Sequence, residues 1–211
     1  MFKVFGVQRT GTTYMRELLK QNFGVIVLTN ELGWKHGMPV EPWQQLVKDA
    51  IERKYTVEQL ELVANGIKNG IHAVIMIKSP YTWVCSIEKW ARNAWKKEDL
   101  STWTAKKYVD LYNGRYSGYL SFYAGLYCYK TVTVVRYEDL LRNFGEQMSR
   151  ISQATGLHLK QVVNINKVQQ SDHFTEEKRQ YYLKPRGRKD VTDAVNWEVI
   201  KKYGYEPIKE A

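Results

Sequence analysis

Residues 5–14 read FGVQRTGTTY and place Gly6 and Gly11 at the spacing of a phosphate-binding loop. The run Phe2–Val7, which leads into this loop, is rich in Phe and Val and predicts a buried parallel strand. The residues that follow, Thr12–Asn22, predict a helix with one apolar face. Loop amides and the positive end of a helix dipole together attract an anion. This stretch therefore predicts an α/β fold with a phosphate site at the end of its first strand.

The rest of the chain repeats the alternation of strands and helices. Three more buried strands are predicted, at Gly24–Thr29, Ile71–Ile77 and Lys130–Val135. The helices predicted between and after them cover residues 43–53, 57–68, 80–95, 101–123, 139–155 and 193–203. This alternation is typical of a doubly wound, mainly parallel sheet of four to five strands with helices on both faces, as in P-loop NTPases. At 211 residues, the chain is expected to form one domain, residues 1–211.

The composition suggests an anionic partner and a reducing compartment. The formal net charge of +10 favours a nucleotide, a nucleic acid or an anionic glycan, without choosing among them. Cys85 and Cys128 lie in apolar or aromatic surroundings and have neither disulfide-framework nor metal-site spacing, which predicts buried free thiols. The apolar run Met1–Gly6 is too short for a signal peptide or a membrane anchor. We therefore expect a soluble, cytoplasmic protein with no membrane span.

The glycine loop lacks the features of a metal-dependent ATPase or kinase. Thr12 stands where such an enzyme carries the lysine that holds the β- and γ-phosphates. The third predicted strand ends in Lys78-Ser79 instead of an acidic Mg²⁺ ligand, and Asp139 comes too far after the fourth strand. The sequence therefore predicts a phosphate site with no metal.

Two other strand ends carry polar residues that would meet at the same edge of the sheet. Lys78 ends the third strand, and Ser86 follows eight residues later on the next helix. A bend followed by about two helical turns would bring this hydroxyl back to the cation, so that both hold one anion. The fourth strand runs into Val135–Leu140, with Tyr137 at the junction of strand and helix.

These segments, in this order, resemble the sulfotransferases that use 3′-phosphoadenosine-5′-phosphosulfate (PAPS). Arg9–Thr13 is similar to the 5′-phosphosulfate loop of that family, and the pair Lys78 and Ser86 is similar to its 3′-phosphate site. Tyr137–Leu140 resembles a family segment whose tyrosine lies near the adenine. The closing residues 204–206, Gly-Tyr-Glu, resemble the ending of short bacterial members. The resemblance implies in-line sulfonyl transfer from PAPS to a hydroxyl or amine, without metal, leaving 3′-phosphoadenosine-5′-phosphate (PAP).

The resemblance also implies a role for each donor-site residue. Arg9 would neutralise the leaving phosphate; many members carry lysine here, and because arginine stays charged its role would be electrostatic only. Lys78 stands where arginine is usual, so it would offer the 3′-phosphate a point charge instead of a fork. The 5′-phosphate would be held by hydroxyls and amides of the loop: Thr10, Gly11, Thr12 and Thr13.

The sequence leaves two parts of the site open. The general base of such a transfer is usually His or Glu, and His36 and Glu31 both lie in the loop after the second strand. In the family a late basic loop closes over the 3′-phosphate. The basic, flexible segment Lys184–Lys189, with Arg186 and Arg188, is similar in character, but a solvated turn explains it equally well.

Other interpretations of the chain are a metal-using nucleotide or small-molecule kinase and a non-catalytic binder of RNA or polyanion. The missing lysine argues against the kinase, and the binder leaves the ordered motifs unexplained. We expect a small-molecule or glycan acceptor and no nucleic-acid partner. The aromatic segment Tyr108–Tyr127 would either line an acceptor pocket or pack in the core, and His72 is expected to be structural.

Overall fold

The strand Ile71–Ile77 is buried at every residue, which is the pattern of a parallel strand covered on both faces. It lies inside a sheet of the computed structural model, which describes residues 1–94, 104–125, 129–165 and 185–208. Within these ranges the sheet has four parallel strands in the order β2-β1-β3-β4. They are β1 Phe2–Phe5, β2 Val27–Leu28, β3 Ile71–Ile77 and β4 Tyr129–Arg136. The predicted α/β class with a parallel sheet is confirmed.

Helices follow every strand, and their ends carry the expected local signals. Gly24, in the left-handed conformation, ends the first helix, and Thr56 with Gln59 forms a capping box at the start of the third. The helices are α1 Thr12–Phe23, α2 Pro42–Ile51, α3 Val57–Asn69, α4 Pro80–Ala94, α5 Ala105–Gly125, α6 Tyr137–Arg142, α7 Phe144–Thr155, α8 Pro185–Ala194 and α9 Trp197–Ile200, with a 3₁₀ turn at Lys201–Tyr203.

Alternate residues of the strands feed two separate hydrophobic cores. Phe5, Ile75 and their neighbours pack on one face, in a core that contains apolar residues of α2, α3, α4, α5 and α8. Val4 and Val74 pack on the other face, in a core built with α1 and α7. Because successive strand residues point to opposite faces, this division makes the sheet doubly wound. None of the helices within the described ranges combines the length and apolarity needed to cross a membrane.

Three sequence-based boundaries were wrong. The helix predicted over 139–155 is two helices, because Asn143 (φ −128°, ψ 53°) leaves the helical region between α6 and α7. The strand predicted at Gly24–Thr29 pairs only at Val27–Leu28, since it lies at the sheet edge and Ile26 is 47% exposed. The helix predicted over 193–203 is the end of α8, then α9 and the 3₁₀ turn.

Candidate functional site

The loop between β1 and α1 has the backbone of a tight, strained turn. Gly11 is left-handed (φ 86°), and a Cβ there would lie 2.5 Å from Cδ2 of Tyr137, so only glycine fits. Arg9 is also left-handed (φ 67°), which is uncommon for a residue with a side chain. Strain of this kind is concentrated at functional sites. α1 begins at Thr12, so its first amides face the end of β1, as the sequence predicts.

Neighbouring elements fix the shape of this loop. Thr10 is fully buried, and its hydroxyl donates to the carbonyl oxygen of Val7 at 2.8 Å. The indole Nε1 of Trp83, on α4, donates to the carbonyl oxygen of Gln8 at 2.7 Å. These contacts give the Thr10 side chain a positioning role in the loop. Thr12 is likewise buried, at 3% exposed.

Lys35 is a second cation at the loop, and sequence reasoning missed it. Its Nζ donates to Oγ1 of Thr13 at 2.9 Å, and the amide of Gly6 donates to its carbonyl oxygen at 3.1 Å. Burial lowers the pKa of Lys35, and the charge of Arg16 lowers it further. The available signal was its place beside His36 in the loop that follows the second strand.

One ring nitrogen of His36 contacts the glycine loop, and the other has no hydrogen-bond partner among the described residues. Its Nδ1 lies 2.7 Å from the carbonyl oxygen of Gly6, and since a carbonyl only accepts, Nδ1 carries the proton and Nε2 the lone pair. Burial lowers the pKa of His36 to about 4, and the charges of Lys35 and Arg115 add to this shift. A neutral imidazole with a free Nε2 is what a general base requires.

Glu31, the other candidate base, is part of a turn instead. Its Oε2 accepts from the amide of Thr29 at 2.6 Å. Lys3, fully buried on β1, donates from Nζ to the carbonyl oxygens of Thr29 (2.9 Å), Glu31 (2.6 Å) and Gly33 (2.7 Å). Burial lowers the pKa of Lys3 to about 7. The geometry favours His36 over Glu31 as the base, and the sequence showed Lys3 only as one residue of an apolar run.

Lys78 and Ser86 meet as their spacing predicts. Lys78 follows β3 and is 8% exposed, and its Nζ donates to Oγ of Ser86 on α4 at 2.7 Å. The same Nζ lies 5.1 Å from the ring centroid of Tyr137, a cation–π distance. Tyr137 thus packs beside both Gly11 and Lys78, so its ring joins the glycine loop to the end of β3.

The start of α6 is anchored by its own acidic residues. Glu138 accepts from the amide of Ser79 (3.0 Å) and from the hydroxyls of Thr82 (3.2 Å) and Tyr205 (2.5 Å). Oδ2 of Asp139 accepts from Nε of Arg136 at 2.6 Å. Both carboxylates therefore have structural partners. Among the described residues, no group of three or more His, Cys, Asp or Glu side chains is arranged to hold a metal ion.

The tyrosines of α5 hold the backbone at the end of β3 by hydrogen bonds from buried rings. The hydroxyl of Tyr112 donates to the carbonyl oxygen of Lys78 at 2.7 Å, and that of Tyr116 donates to Met76 at 2.8 Å. The rings of Tyr112, Tyr116 and Tyr119 are fully buried, and that of Tyr108 is almost fully buried. For these four rings the core-packing interpretation is confirmed; the side chains of 121–127 lie outside those described.

From Pro185 onward the late basic segment is a helix, not the flexible loop or turn that its composition suggested. Its described residues, from Pro185 onward, form the first turns of α8. The Arg186 side chain lies outside those described; Arg188 is half-buried, and its Nε has no hydrogen-bond partner among the described residues. Thr192, one turn after Arg188, contacts the hydroxyl of Tyr81 at 2.8 Å. Arg188 is therefore on the face of α8 that packs toward the start of α4.

Neither a scan against protein-family models nor a search of curated proteins gives a match for this chain.

Proposed function

We propose that this protein transfers a sulfonyl group from PAPS to a hydroxyl or amine acceptor. The observation that carries the proposal is the position of Tyr137, whose ring packs beside Gly11 and Lys78. Three motifs from distant parts of the chain converge there, at the carboxyl edge of the parallel sheet. Ligands of doubly wound folds bind at this edge.

Two groups of polar and charged residues at this edge support PAPS as the sulfonyl donor. The glycine loop offers amides, the start of α1 and the Lys35–Thr13 pair, which suit the 5′-phosphosulfate. Lys78, which is buried, and Ser86, which is half-buried, offer an ammonium and a hydroxyl, which suit the 3′-phosphate. The Tyr137 ring between them suits the adenine, and Arg188 on α8 is a further cation for the 3′-phosphate.

Different residues of the chain accept the proton and stabilise the leaving phosphate in this transfer. When bound, PAPS would supply a sulfonyl group: an S–O bond forms to a hydroxyl acceptor, or an S–N bond to an amine acceptor, and the S–O bond to the 5′-phosphate breaks with its electron pair left on the phosphate. Nε2 of His36 accepts the proton of the acceptor hydroxyl or amine. Arg9 and Lys35 provide fixed positive charge for the leaving phosphate. No metal is assigned a role.

The proposal also includes the cellular compartment of the protein and the kind of acceptor. Cys85, on α4, is half-buried instead of buried, and its thiol donates to the carbonyl oxygen of Tyr81 at 3.3 Å. A reduced thiol fits a reducing, cytoplasmic environment. The acceptor would be a small molecule or a glycan.

The test is to incubate the protein with PAPS, EDTA and a mixture of phenolic, amine and sugar acceptors, and to measure PAP by chromatography. We expect PAP to accumulate with the acceptor and to be unaffected by EDTA. Phosphoryl transfer from ATP with Mg²⁺, and none from PAPS, would overturn the proposal in favour of the kinase. Salt-sensitive binding of RNA without any transfer would favour the polyanion binder.

A further inference from the structure

The helix α5 lies directly against the loop that carries His36. The hydroxyl of Tyr119 donates to the carbonyl oxygen of Gly37 at 3.1 Å. The thioether of Met38 fills the space beside Gly118, where any Cβ would overlap it. This stretch of α5 is therefore fixed at the proposed base by close backbone packing.

Arg115 lies one helical turn before Tyr119, on the same face of α5. It is half-buried, and no described residue forms an ion pair or a hydrogen bond with its guanidinium. Arg115 is close enough to act electrostatically on His36 and Tyr119. Its positive charge contributes to the lowered pKa of His36 and opposes the raised pKa of Tyr119. A partly desolvated guanidinium with no carboxylate partner in the described chain is suited to an anionic ligand.

Trp34 borders His36 on another side. Its ring centroid lies 5.0 Å from that of His36, with the rings almost perpendicular at 88°, and the residue is 51% exposed. A large aromatic side chain left half-exposed beside a base offers a face on which a ring can stack.

We propose that the acceptor is an anionic ring compound, whose ring stacks on Trp34 and whose carboxylate, sulfate or phosphate binds Arg115, with its hydroxyl at Nε2 of His36. The inference rests on the proposed sulfonyl transfer and names the acceptor class for it. Two sources share this chemistry, anionic phenols and acidic sugars. Both place a hydroxyl and a negative charge on one ring.

The experiment measures acceptor affinity by calorimetry on protein saturated with PAP, using pairs that differ only in charge. One pair is 4-hydroxyphenylacetate and 4-hydroxyphenylacetamide, and the other is methyl glucuronoside and its uronamide. The variants are Arg115→Gln, Trp34→Ala and Lys106→Gln. Lys106→Gln is the matched control because this substitution removes one positive charge from the same helix, at an exposed position paired with Asp110.

The anionic member of one pair is expected to bind about tenfold or more tightly than its neutral partner. Arg115→Gln should abolish this preference, Lys106→Gln should keep it, and Trp34→Ala should weaken both members alike. Whichever pair shows the preference identifies the phenol or the sugar class. Equal affinity within both pairs, a preference that survives Arg115→Gln, or no binding by any of the four compounds up to about 10 mM would overturn the inference.

Failure of this inference is distinguishable from failure of the proposed function. Saturation with PAP is measured first on each variant, and it also shows that Arg115→Gln is folded. Tight PAP binding with no charge preference overturns only the acceptor class. Absence of PAP binding to the wild-type protein overturns both.

Discussion

Nζ of Lys78 donates a hydrogen bond of 2.7 Å to Oγ of Ser86, which lies eight residues further along the chain. The lysine is 8% exposed, and its ammonium also faces the ring of Tyr137. An ammonium and a hydroxyl side by side can both bind the oxygens of one phosphate. The contact therefore supports the proposal that this pair binds the 3′-phosphate of the donor.

Substitution of this pair should weaken binding of the 3′-phosphate selectively. Lys78→Gln should lower PAP affinity about 10- to 100-fold, because it removes a charge-assisted hydrogen bond. Ser86→Ala should lower it by a smaller factor, since a neutral hydroxyl is lost. Calorimetry with PAP and with AMP, which lacks the 3′-phosphate, measures both effects. If AMP affinity falls as much as PAP affinity, the pair does not bind this phosphate.

Removal of the loop arginine should affect the chemical step. Arg9→Ala is expected to lower the rate of sulfonyl transfer about 100-fold or more while the protein stays folded, because a fixed charge at the leaving group is lost. Arg53→Ala is the matched control, since Arg53 is also left-handed (φ 49°) and is exposed between α2 and α3. Rates come from PAP release, and folding from thermal melting. Full activity of Arg9→Ala would contradict the mechanism.

A methyl group on the loop glycine should displace Tyr137. Gly11→Ala would place Cβ 2.5 Å from that ring, in addition to the left-handed strain of about 1–2 kcal/mol. We expect reduced stability and loss of PAP binding. Gly156→Ala is the control, because Gly156 is also left-handed (φ 68°) but a Cβ there meets nothing within 4 Å. It should lose similar backbone stability and keep PAP affinity; unchanged PAP affinity in Gly11→Ala would refute the close packing.

The protonation of His36 gives a prediction for pH. Burial lowers the pKa of His36 in the folded protein to about 4, below its ordinary value of 6.5. Its neutral, proton-accepting form should therefore persist from neutral pH down to about pH 5. NMR titration of the ring in the free protein should report this low pKa, and Arg115→Gln should raise it.

The same shift has a consequence for stability. Between pH 6.5 and 4 the unfolded chain binds a proton at His36 that the folded chain excludes, so the free energy of unfolding falls as the pH falls. His72 adds to this loss, because burial lowers its pKa to about 4 as well. His72→Gln should make the decline shallower in urea titrations at several pH values. A pKa of His36 near 6.5 would contradict its assignment as a desolvated neutral base.

The sequence predicted the strands and the site contacts that depend on local spacing. The meeting of Lys78 and Ser86 follows from a strand end, a bend and about two helical turns, so the sequence was enough to find it. The role of Lys3 was hidden, because its three carbonyl partners belong to a loop 26 to 30 residues away. Lys35 was missed for the same reason, since its partner Thr13 lies on α1.

The late basic segment shows another limit of sequence reasoning. The basic, flexible character of Lys184–Lys189 left a solvated turn open, but Pro185 is the first residue of α8, where its fixed φ is suitable. Contacts across the fold, such as that between Thr192 and Tyr81, help to hold the helix in place. Composition alone does not contain such contacts.

The proposed donor site is tested by the thermal stabilisation that PAP produces, compared with AMP and with ATP plus Mg²⁺. A ligand that binds only the folded chain raises its stability with the logarithm of ligand concentration over Kd. We expect a clear rise in melting temperature with PAP, unchanged by EDTA, and a much smaller rise with AMP. A rise only with ATP and Mg²⁺, or none with any nucleotide, would contradict it.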